Sequence, residues 1–125
     1  MILNHGAGFS DKLIGFVVAC FFCGAVTRRE LNDWSAHALV LEGAPNYLYD
    51  LMEFHDEPFK IYKVIGHVPD WECTEREERA LYGIAVRRGF EPYDMPLTPN
   101  EALECLAGSP DIERLFRQVF DFIEY

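Results

Sequence analysis

At 125 residues, 50% hydrophobic and 14% aromatic, the chain has the material for one packed core and is too apolar to remain disordered. Its formal charge of −10 repels phosphate backbones and anionic bilayers, which excludes direct nucleic-acid binding and membrane-surface attachment as roles. Four cysteines (Cys20, Cys23, Cys73 and Cys105) in a chain able to bury its own core do not make a disulfide-stapled secreted scaffold.

The first predicted element is an apolar helix near 10–24. Ser10 stands before it as a cap, and "LIGFVVACFFCGAV" (13–26) forms its body. That 14-residue apolar run is too short to span a bilayer. The "VVAC" within it resembles the end of a lipoprotein signal. However, Lys12 is the one base ahead of it, Asp11 cancels that charge, and the apolar run continues past the cysteine. A buried core helix and a cytoplasmic protein are the expectation. "CFFC" (20–23) sits in the middle of this helix between apolar neighbours. A redox pair needs exposure and a lowered thiol pKa, and a zinc site needs two more ligands, so core packing is expected.

"TRRE" (27–30) is a capping box opening a helix near 28–42, with Leu31, Trp34, Ala38 and Leu41 at helical spacing. Pro45 opens a short helix near 46–54. "FKIYKVIGHVP" (59–69) does not alternate cleanly, yet its β-branched and aromatic residues predict an extended connection, or a minor extended segment near 59–68. "TERE" (74–77) is a second capping box, opening a helix near 74–88 with Gly89 as its stop. Its charges, including the Glu75–Arg79 pair and the terminal Arg87 and Arg88, need no reading beyond a solvated face. "TPNE" (98–101) and "GSPDI" (108–112) each place a proline at a first helical position, giving helices near 99–107 and 110–119. The expected fold is a compact all-α bundle of about six short helices forming a single helical domain over 1–125.

No catalytic constellation emerges. His5, His37, His55 and His67 are scattered without metal-ligand spacing, Ser10 and Ser109 read as caps, and Ser35 lies within a helix. "HGAG" (5–8) lacks the strand and helix that would make its glycines a phosphate cradle. An enzyme or metal protein centred on His55, Asp56 and Glu57 is the weakest alternative, because those carboxylates favour imidazolium over a general base. No cofactor, no metal and no enzymatic activity are expected.

The acidic residues fall into two blocks. Residues 42–57 carry Glu42, Asp50, Glu53, Asp56 and Glu57 with no base, and residues 91–125 carry eight acids against Arg114 and Arg117. Within them "PNYLYDLMEFHDEP" (45–58) and "EPYDMP" (91–96) combine carboxylates with tyrosines. Carboxylates give steering, and tyrosines give contact area at low entropic cost. The expected partner-binding residues are Tyr47, Tyr49, Asp50, Glu53, Asp56, Glu57, Tyr93 and Asp94.

Taken with the acid excess, the segments "RRELNDWSAHALV", "PNYLYDL", "LYGIAVRRG" and "LTPNEALECL…SPDIERLFRQVF" give the chain an overall pattern that resembles the immunity proteins of bacterial toxin systems, of the bacteriocin or contact-dependent growth inhibition type. That resemblance implies a cytoplasmic protein that binds one cognate basic toxin domain, often a nuclease, and covers its active site. Such families differ widely in fold, so the resemblance assigns no residue a role. The alternative is a small acidic regulatory or adaptor module that binds a basic host protein.

Overall fold

The structure, a computed structural model, describes residues 9–125; His5 and the "HGAG" stretch lie outside them. Among the described residues there are seven α-helices and no strand, so the chain is an all-α protein. They are α1 (Asp11–Phe22), α2 (Arg28–Ala38), α3 (Leu48–Leu51), α4 (Ile61–Ile65), α5 (Glu75–Arg87), α6 (Pro99–Ala107) and α7 (Pro110–Val119).

The helix starts follow the local chemistry. The Ser10 hydroxyl accepts from the Leu13 amide, and Thr27, Thr74 and Thr98 each close a reciprocal capping box with Glu30, Glu77 and Glu101. Ser109 departs from expectation: it precedes α7 without making a side-chain cap bond. α2 stops at Ala38, short of the expected 42, and Val40 and Leu41 are exposed beyond it. α3 is only one turn long.

The expected extended segment near 59–68 is instead helical. Pro58 opens a 3₁₀ turn over Pro58–Lys60 that runs directly into α4, and Gly66, at φ +92°, ends it. Ile61 and Ile65, one turn apart, both point into the core. Burial of that i, i+4 pair outweighs the β propensity of the individual residues.

α1 is the most buried helix, with Ile14, Phe16, Val17, Val18 and Cys20 all inside, and no helix of the described residues is long and apolar enough to cross a membrane. Around it the core gathers Leu31 and Trp34 from α2, Leu48 and Leu51 from α3, Leu81 and Ile84 from α5, and Phe116 and Phe120 from the C-terminal region. The two cysteines of "CFFC" are core, as expected, but the motif ends α1 rather than lying in its middle, and Phe22 is exposed. Cys20 and Cys23 are buried, and burial raises both thiol pKa values, Cys23 to about 12.

Two backbone approaches rely on glycine. A Cβ on Gly83 of α5 would lie 2.4 Å from the Ala102 carbonyl oxygen of α6, and one on Gly15 of α1 would lie 2.8 Å from the Trp71 backbone nitrogen. The first lets α5 and α6 form the most extensive helix pair in the chain. The second lets the 70–71 segment close onto α1.

Polar bonds then fix the elements relative to one another. Arg88 meets Glu30 through two bonds of 2.8 and 2.5 Å and also donates to the Ala25 carbonyl at 2.7 Å, joining the end of α5 to the start of α2. Asp11 accepts from the Asp70 amide at 2.9 Å and pairs with His67 at 2.6 Å. The C-terminal tail folds back on α7: Tyr125 packs on Phe116 and its hydroxyl donates to Glu113, which also binds Arg87.

Candidate protein-binding surface

Beyond Glu42, the acids of the first block begin on α3 and run through the loop towards α4. Its inner side is fixed by the core: Leu51 and Phe54 are buried, Phe54 meets Phe21 edge-on at 6.4 Å, and the Asn32 amide donates to the carbonyls of Leu51 at 2.7 Å and Phe54 at 3.1 Å. With that side held, the intervening polar residues are turned to solvent. Asp50, Glu53, His55, Asp56 and Glu57 are all exposed.

All of these but Glu57 border an open groove of about 450 Å³. Asp50, Glu53, His55 and Asp56 enter it from the α3 side, and Lys60, Lys63 and Val64 from the 3₁₀ turn and α4, with Phe54 also lining it. Tyr49 and Phe59, 62% and 63% exposed, stand in the same stretch of chain. The block without a base in the linear sequence therefore meets two lysines in space. Lys60 and Lys63 are three residues apart, on the turn and helix that were expected to be extended. Pro58 at the first helical position, the Ile61/Ile65 spacing and the Gly66 stop are the signal by which both could have been placed here.

The carboxylates divide by what they do. Asp56 is engaged locally: it accepts from the Glu57 amide at 3.0 Å and pairs with Lys60 at 3.3 Å, and its pKa is held below the usual aspartate value by that amide first, then by Lys60 and His55. His55 places Nδ1 3.0 Å from the Glu53 carbonyl oxygen. Asp50, Glu53 and Glu57 have no cationic partner within 4 Å among the described residues. Three unpaired carboxylates beside two exposed rings are what this surface presents outward.

The other expected partner-binding residues do not join it. Tyr47 packs half-buried against the core, where burial, then the charge of Asp11, raises its hydroxyl pKa. Tyr93, 98% exposed, and Asp94, with φ +56°, lie in the loop between α5 and α6. That loop rests Pro92 against Gly24, and Asp94 contributes to raising the pKa of Tyr82. Neither residue lines the groove.

No group of three or more histidine, cysteine, aspartate or glutamate side chains among the described residues is arranged to hold a metal ion. Comparison with known proteins returns nothing: no family model matches the chain, and no curated protein or solved structure matches it.

Proposed function

We propose that the chain is a protein-binding module of the immunity type. In this reading it works in the cytoplasm as a stoichiometric inhibitor rather than an enzyme. It docks the surface around residues 49–64 onto a basic toxin domain, a nuclease being the fitting class, and covers that domain's active site. The observation that carries this reading is that Asp50, Glu53 and Glu57 are exposed and without cationic partners, in the same stretch of chain as the exposed rings of Tyr49 and Phe59, and that Asp50 and Glu53 line an open groove. Unpaired carboxylates attract the cationic face with which a nuclease receives phosphate, and the rings supply apolar contact once the two surfaces meet. The lysines of the groove wall restrict where a cation can settle, which favours one docking orientation over others.

The test is titration calorimetry of this protein against the purified C-terminal domain of the secreted protein encoded immediately upstream of its gene, at two salt concentrations. One-to-one binding in the nanomolar range, about −12 kcal/mol, weakened by salt and accompanied by loss of that domain's toxicity, is the expected result. Tight binding that leaves toxicity intact, or no binding, would exclude inhibition of that domain.

A further inference from the structure

α4 also contributes to a second depression, in which no partner-binding residue expected from the sequence takes part. This cleft of about 290 Å³ lies between α1 and the chain from Pro69 to Tyr82, and four aromatic side chains line it: Phe22, Tyr62, Trp71 and Tyr82. Trp71 is braced edge-on against Phe16 at 5.0 Å, and Tyr62 against Phe22 at 5.5 Å. The segment carrying Trp71 reaches α1 because Gly15 has no side chain.

The charge of the cleft is of one sign. Asp70 and Glu78 line it, both exposed and both without a cationic partner among the described residues, and no lysine or arginine lines it. The groove around Asp50 has two lysines in its wall, so the contrast is clear. The acidic groups inside the cleft register the same field. Burial first, then Glu78, Glu77 and Asp70, raise the pKa of Cys73. Burial first, with Cys23, Glu78 and Asp94 contributing, pushes that of Tyr82 to about 12. Aromatic walls with unpaired carboxylates and no competing cation form a receptor for a positive group: the ring faces attract it and the carboxylates give it counter-charges. A flat guanidinium suits such walls better than a compact, strongly hydrated ammonium.

We propose that this cleft receives an arginine side chain of the basic partner and acts as the anchor point of the interface. The proposal rests on the reading above for the source of the arginine, while the cleft's preference for a guanidinium can be measured without any partner.

The experiment uses the full chain, with the indole N–H resonance of Trp71 as reporter and that of buried Trp34 as internal control. N-acetyl-arginine amide is titrated to millimolar concentration against its neutral isostere, N-acetyl-citrulline amide. The expected result is a saturable shift of the Trp71 resonance with the arginine probe, little with citrulline, and affinity reduced about fivefold or more in the Asp70→Asn/Glu78→Gln variant. Both substituted side chains are exposed, and an unchanged circular dichroism spectrum checks that the variant is folded. An equal response to citrulline, a silent Trp71, or undiminished binding by the double variant overturns the proposal. Should a basic domain bind in a manner that depends on Asp50, Glu53 and Glu57 but not on Asp70 and Glu78, the anchor is wrong and the inhibitor reading stands. A charge-selective Trp71 response with no basic domain bound would uphold the cleft and count against that reading.

Discussion

The two acid blocks have similar charge in the linear sequence and different occupations in space. In residues 42–57 the carboxylates at 50, 53 and 57 face solvent with no cation attached, and Asp56 alone is engaged, by Lys60 and the Glu57 amide. In residues 91–125 at least three of the eight acids are taken up by structural tasks, although all but Glu113 remain exposed. Glu101 closes the capping box of α6, Glu113 binds both Arg87 and Tyr125, and Asp111 pairs with Arg114 at 2.6 Å. A count of carboxylates therefore overstates what either block offers a partner, and the second block more. A carboxylate that already holds an internal donor has less field to offer, and at least three acids are engaged in the second block against Asp56 alone in the first.

That comparison can be broken most sharply by charge reversal. Asp50→Lys/Glu53→Lys/Glu57→Lys is expected to slow association with the cognate basic domain about 100-fold at low salt, with stability within about 0.5 kcal/mol of the parent. Stopped-flow association and urea unfolding measure the two effects. A variant that unfolds would show those carboxylates to be structural after all.

The next effect belongs to the acids that do hold the fold together. Arg88→Ala leaves Glu30 largely buried without its partner and should cost about 2–3 kcal/mol in urea unfolding, less than a fully buried pair because both side chains keep some access to water. Glu113→Gln, which weakens the bonds to Arg87 and Tyr125, should cost about 1 kcal/mol and leave association unchanged. An association rate that fell with Glu113→Gln would move the docking surface to the second block.

The smallest effect is in the pH dependence of stability. Burial works to raise the pKa of Glu30, but the Arg88 bonds and the Thr27 amide outweigh it, and the result lies below the ordinary glutamate value of 4.5. A carboxyl group with a folded pKa below its unfolded one gives stabilisation that is complete above 4.5 and disappears as pH falls through the folded value. Unfolding free energy should accordingly fall more steeply on acidification in the parent than in Glu30→Gln, measured between about pH 6 and pH 3.

Much of this was legible in the residues themselves. Capping boxes depend on side chains three positions apart, so Thr27/Glu30 and Thr74/Glu77 announce α2 and α5 without tertiary information, and the prolines at 99 and 110 do the same for α6 and α7. The segment after Pro58 was not, because its isoleucines and tyrosine suit a strand locally and become helical through burial against a core formed by distant residues. The site suffered from the same cause. Asp50, Glu53 and Glu57 could be named from composition, but the lysines opposite them, the inward packing of Tyr47 and the separation of Tyr93 and Asp94 from the groove all depend on tertiary placement. The cleft around Trp71 left no local signal, since its walls come from residues 15 to 82 and close through the absence of a side chain at Gly15.

The central claim, that the surface around residues 49–64 is where a partner docks, is tested most directly by a footprint. Backbone amide hydrogen exchange of the chain, free and saturated with the cognate basic domain, would show which block the partner covers. Protection concentrated in residues 49–64 and reaching the Pro69–Tyr82 wall of the cleft, with residues 99–119 exchanging as they do in the free protein, is the result predicted. Protection centred on residues 91–125, with the groove unchanged, would contradict it.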